Sequence, residues 1–210
     1  MMKTRNALTL ALLLGVTSLC TSLPAQAADE YTMVGIPKLR SAWFNDYETG
    51  LKKAAKDFKI DAYQQAPASA DEAQQVRIIE DSITQGANAL LVVPNNASSV
   101  EPVFNRARGQ KIVVITHESV NQPGADYDVE MIENEKFGRY MMDEFAKHAG
   151  GKGEFAIYVG SLTVPAHNTW ADAAIKQMKE KYPDMKLVSD RFPVSEDRNA
   201  SRQKTLELLS

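Results

Sequence analysis

Two short apolar runs, residues 89–93 (Ala-Leu-Leu-Val-Val) and 112–115 (Ile-Val-Val-Ile), restrict this chain more than any other feature. Neither run carries a polar residue on either face. Each stops at residues that hydrogen-bond: Pro94-Asn95-Asn96 after the first, Thr116-His117-Glu118-Ser119 after the second. A strand with one wet face alternates, so runs this apolar fit strands of a parallel sheet covered by helices. Residues 98–108 between them have helical spacing, which makes the unit β-α-β. In open α/β sheets ligands sit beyond the carboxyl ends of the strands, so the polar residues there are the first candidates for a site.

The same alternation extends in both directions. Residues 31–38 read as a first strand ending in Pro37-Lys38, with Trp43-Phe44 on the loop that follows and a helix over 46–58. A second strand covers 60–65. Asp71 is placed to cap the next helix, which buries Val76, Ile79 and Ile83, and Gly86 closes it. Beyond the central unit come a strand at 127–132 and a helix over 134–147, with Phe137, Met141 and Phe145 as its apolar stripe. After the glycine-rich 149–153 the pattern restarts: strand 154–159, loop 160–166, helix 168–182, strand 186–192, and a helical end from Glu196. This order predicts an α/β fold of two doubly wound, Rossmann-like lobes in series, 28–130 and 131–210, the second including the crossover. That second lobe has only two convincing strands, and a two-stranded parallel sheet does not bury itself. The expectation is therefore an incomplete second lobe, and a chain that is a fragment and binds poorly alone.

Residues 1–27 stand outside this pattern. Lys3 and Arg5 give a positive start, 7–19 is an uncharged apolar core too short to span a membrane, and Ala25-Gln26-Ala27 is a small-x-small cleavage site. They read as a secretory signal peptide, and cleavage removes Cys20, the only cysteine of the chain. An exported chain with no disulfide points to a bacterial periplasm. A formal charge of −3, with no basic stripe, argues against nucleic acid or an anionic membrane as partner.

The candidate binding residues each have a plainer alternative. Lys38 offers three donors at a strand end, or is a solvated lysine. Trp43 and Phe44 stack on a sugar ring, or staple the loop to the core. Asn95 offers donors and acceptors to a polyol, whereas Asn96 reads more as a turn residue. Glu118 follows an otherwise apolar strand, and a carboxylate accepts two vicinal hydroxyls at once. Its neighbour His117 is expected on the opposite face, because successive strand residues alternate. His167 and Asn168, near Thr163 and Trp170, are ligand contacts or helix-start caps. Catalytic signals are missing: there is no Gly-x-Ser-x-Gly elbow, no phosphate-cradling loop and no dinucleotide fingerprint around Gly35. The three histidines, 117, 148 and 167, have no metal spacing, so neither an enzyme, a metal nor a cofactor is expected.

With these residues in order, the chain resembles the type I periplasmic sugar-binding proteins of ABC importers, in the branch of the rhamnose and autoinducer-2 receptors. The resemblance runs through Ile36-Pro37-Lys38-Leu39, Trp43-Phe44, Gln85-Gly86-Ala87-Asn88-Ala89, Val114-Ile115-Thr116-His117-Glu118-Ser119, and Ser161-Leu162-Thr163-Val164 with Asn168 and Trp170. It implies two lobes joined by three crossovers, a hinge that closes on a sugar, and an inner-membrane permease that receives it from a monomer. It places Lys38, Trp43, Phe44 and Glu118 among the binding positions. Autoinducer-2 receptors have Asp at the Glu118 position, and their second-lobe Asp-Gln pair falls here on Ala166 and His167. That departure favours a sugar over autoinducer-2. The alternative within the resemblance is a receptor that senses sugar or autoinducer-2 for a chemoreceptor or sensor kinase.

Overall fold

The structure is a computed structural model and describes residues 31–210, so the expected signal peptide lies outside the described residues. β1 (Thr32–Ile36), β2 (Asp61–Gln64), β3 (Ala89–Val92), β4 (Val113–His117) and β5 (Tyr127–Val129) form one parallel sheet in the order β2-β1-β3-β4-β5. The order reverses direction between β1 and β3, which is where such sheets open a crevice at their carboxyl ends. Three helices accompany it: α1 (Trp43–Phe58), α2 (Glu72–Thr84) and α3 (Ala97–Gly109). Their starts follow local chemistry. The Asp71 side chain accepts from the Gln74 N–H, and Asn96 accepts from those of Ser98 and Ser99.

The two faces of this sheet are unequal. Val34, Ile36, Leu90, Val92 and Val114 point to α2 and α3, where Ile79, Val100, Val103 and Phe104 complete a core shielded from water. Among the described residues, only α1 packs on the other face. It comes close because Gly35 has no side chain: a Cβ there would lie 2.3 Å from Leu51 Cδ1. Toward β4 and β5 this face stays open, as a groove of about 680 Å³ lined by Met33, Trp43, Leu91, Ile115 and Met131 among others. The expectation of helices on both faces thus holds fully on one side and only partly on the other. The aromatic pair is also displaced from its expected loop, since α1 already begins at Trp43.

α4 (Asn134–Ala149) leads into a second region with α5 (Pro165–Lys181), α6 (Arg198–Leu209) and four short strands. β6 (Gly153–Phe155) pairs with β8 (Met185–Leu187), and β7 (Tyr158–Val159) with β9 (Phe192–Pro193), all parallel. The expected strand 154–159 is thus divided into β6 and β7, and the expected strand 186–192 into β8 and β9. Phe155 faces Leu187 and Tyr158 faces Phe192, so the second strand carries two surplus residues between the same two rungs. The surplus bulges out and lets Arg191 reach α5, where it donates to the Asn168 side chain at 2.8 Å and pairs with Asp172. The buried row of α4 is also one residue off the expected stripe: Gly138, Met142 and Ala146 face inward, while Phe145 is exposed. Gly138 decides this, because a Cβ there would lie 2.4 Å from Trp170 O, and only a bare backbone lets α4 lie this close to α5.

Candidate ligand-binding site

Three loops at the carboxyl ends of strands converge on one ammonium group. Lys38 follows β1 and is only 1% exposed. Its Nζ lies 3.0 Å from Glu118 Oε2, after β4, and 2.9 Å from Glu196 Oε1, after β9. His167 Nε2, on α5, is 3.4 Å away. The first two residues belong to the sheet of the first region, the last two to the second. The ammonium is therefore the point at which the two regions meet through charge.

The backbone sets these side chains at a cost. Glu118 has φ of 58° and Glu196 has φ of 55°, in the left-handed region that residues with a Cβ seldom adopt. The turn at Glu118 ends strand alternation, so His117 and Glu118, expected on opposite faces, come together with His117 Nε2 3.8 Å from Glu118 Oε1. His117 is held by a 2.6 Å contact between its Nδ1 and Val129 O. Gln75, fully buried on α2, anchors the Lys38 loop: its amide donates to Pro37 O and Val93 O, and its carbonyl accepts from the Asn95 N–H at 2.9 Å. The buried Asn95 side chain donates to Lys38 O at 3.0 Å, so it supports the lysine from behind.

On the opposite side, His167 Nδ1 accepts the Gly160 N–H at 3.0 Å. A ring nitrogen that accepts carries no proton, so the neutral ring has its N–H at Nε2, aimed at Lys38. Two donors thus face each other, and an acceptor oxygen between them would satisfy both. Burial, and then the Lys38 charge, hold the His167 pKa below its ordinary value against the pull of Glu196 and Glu118. Thr163 adds a contact between the regions, its hydroxyl 3.2 Å from Asn95 O and 3.1 Å from Glu72 Oε1. Glu130 adds another: it accepts from the Ser119 N–H and from Asn134, which in turn accepts from Trp170 Nε1. Burial raises the Glu130 pKa.

The cluster brings together Lys38, His117, Glu118 and His167, with Asn95 directly behind. Phe44 lies apart, 2% exposed against Leu39 and Val93, and Trp43 is 74% exposed at the rim of the sheet-face groove. Asn168 is occupied by its own loop, donating to Ser161 O and Val164 O and accepting from Arg191. Glu196 and Gln75 were not singled out by sequence. Glu196 reads there as the start of a helix, yet α6 begins at Arg198 with Asp197 as its cap. Its signal was present all the same: like Glu118, it is a carboxylate just past a short strand. Among the described residues no three His, Cys, Asp or Glu are grouped to hold a metal ion, and no helix is long and apolar enough to cross a membrane.

A sequence profile described as the periplasmic binding protein domain matches residues 33–210. A xylitol-binding protein of Mycolicibacterium smegmatis is 25% identical over 178 residues, covering 84% of this chain and 50% of its own. Among solved structures, an ABC transporter solute-binding protein from Clostridium phytofermentas with bound L-rhamnose superimposes with a TM-score of 0.80 at 24% identity, over 87% of this chain and 57% of that one. Another, from Burkholderia graminis in complex with D-arabinose, gives a TM-score of 0.77 at 27% identity over 85% and 61%. The chain therefore spans between about half and three-fifths of the length of these relatives.

Proposed function

The chain belongs to the periplasmic binding protein family, and from that premise we propose that it captures a sugar between two lobes and delivers it to an ABC permease in the inner membrane. The lobes are residues 28–130 and 131–210, the latter with the crossover, and the protein acts as a monomer in the periplasm after its leader is cleaved. It binds its ligand and does not transform it. The observation that carries the reading is the Lys38 ammonium held between Glu118 of one lobe and Glu196 of the other. Vicinal hydroxyls donate to carboxylates and accept from an ammonium, so one polyol would answer all three groups and the Nε2–H of His167. The ligands of those relatives, xylitol, L-rhamnose and D-arabinose, share that chemistry. Lys38, Glu118 and His167 are the principal contacts in this reading. His117 and Asn95 support these contacts, whereas Trp43, Phe44 and Asn168 lie outside the cluster.

The test is a thermal-shift screen of the full-length protein against pentoses, hexoses, deoxyhexoses, pentitols and autoinducer-2. A ligand at about 100 times its Kd adds about 2.7 kcal/mol of stability. The expected result is a shift with a neutral sugar that Glu118→Ala abolishes. A full shift in that variant would put the site elsewhere, and no shift with any probe would end the reading.

A further inference from the structure

The charges around Lys38 do not balance. One ammonium faces two carboxylates, and the tautomer imposed by Gly160 on His167 leaves that ring without charge to offset the second. His117 faces only the far oxygen of Glu118, and Asp128 and Glu130 behind it are further acids. The two carboxylates also differ in how they are held. Glu118 Oε2 receives a hydrogen bond from Lys38, and its side chain is 9% exposed. Glu196 Oε1 is within ion-pair distance of the same ammonium but out of line for a hydrogen bond, and although that oxygen is shut from solvent, nothing donates to it. The Glu196 side chain is 21% exposed and edges the apolar cavity, about 410 Å³, that His167 and Trp170 also line. Glu196 is the less enclosed of the two carboxylates, and a ligand entering between the regions would meet its undonated oxygen.

We propose that Glu196 sets the charge class of the ligand: the site prefers a polyol bearing an amino group to the same polyol without one, and rejects its acidic counterpart. A ligand ammonium would supply the missing donor to Glu196 Oε1 and cancel the surplus charge, whereas a ligand carboxylate would add a third anion to one cation. Glu196 is thus a specificity residue, with no fixed partner of its own beyond Lys38. The proposal rests on the sugar-binding reading above and adds the amine to it.

The test is calorimetry of the full chain at neutral pH with xylitol, D-arabinose and D-glucose, each beside its monoamino and monocarboxylate derivatives. In the wild type, the amine of the preferred scaffold should bind about tenfold or more tighter than its parent, the scale of one charge-assisted hydrogen bond, and the acid should bind weaker than the parent. Glu196→Gln should bring the ratio of amine to parent affinity, measured within that variant, down to about one, and Glu196→Asp should keep the wild-type ratio. Both variants are checked for wild-type thermal unfolding. A parent bound as tightly as its amine, or an amine preference that survives Glu196→Gln, would overturn the proposal and leave the sugar site standing. If none of the nine probes binds, the site itself falls, and the proposal with it.

Discussion

The two regions are made of the same elements and reach different degrees of closure. In the first, β3 has a neighbour on each side, and Val34, Ile36, Leu90, Val92, Phe104 and Val114 are all 0% exposed. In the second, among the described residues, β6 pairs only with β8 and β7 only with β9, so each strand has one paired edge there. None of the core residues Met142, Phe155, Ala174, Met178 and Met185 is completely shielded, and α6 buries nothing. The difference teaches that the parallel sheet carries the first region, whereas the close contact of α4 and α5 carries the second.

The sharpest way to break that comparison is to cut into each core. Phe104→Ala should cost about 3–5 kcal/mol, as expected for emptying a fully enclosed aromatic site, and Met178→Ala distinctly less, because its surroundings are open to collapse or to water. Chemical denaturation of both variants checks this, and equal losses would refute the contrast. Next in size is the charge contact that joins the regions. Lys38→Ala leaves Glu118 buried without its cation and should cost about 3 kcal/mol or more, whereas Glu196→Gln, at the better-hydrated end, should cost under about 1 kcal/mol. Similar losses from the two would mean that Glu196 is as enclosed as Glu118. Gly138→Ala must push α4 away from α5 and should cost about 1–3 kcal/mol. Amide exchange should then quicken in α4 and α5 while β1 to β4 keep their protection. The smallest effect concerns pH. The folded state holds His167 below the ordinary 6.5, so the unfolded chain takes up a proton that the folded chain refuses. Stability should therefore fall as pH drops through 6.5 and level off below the folded value, and His167→Gln should remove that slope. A wild type whose unfolding is flat across this window would contradict a His167 held neutral by burial and by Lys38.

Much of the first region was legible because its signals are local. The apolar runs ending at Val93 and Ile115, the cap at Asp71, and the glycine at 86, with φ of 87°, each specify a boundary through their immediate neighbours, while Asn96, read more as a turn residue, proves to cap α3. The family resemblance drawn from those strand ends agrees with the profile match over 33–210. The second region was read less well. Phe137, Met141 and Phe145 make a convincing stripe, but Gly138 faces Trp170, and helix packing rewards close backbone approach as well as hydrophobicity. The bulge that frees Arg191 has no marker in the sequence, because register is settled between strands and not within one.

The sequence by itself determined the alternation of strands and helices, that the central strands are parallel and covered, and that Lys38 and Glu118 stand at strand ends. Only the tertiary structure decided that Glu196, far along the chain and read as the start of a helix, would share one ammonium with Glu118, and that His117 would turn toward its neighbour. The reason is that periodicity and capping act over a few residues. Where two loops meet depends on the packing of whole regions and on two residues at positive φ, and neither leaves a periodic trace in the order of amino acids.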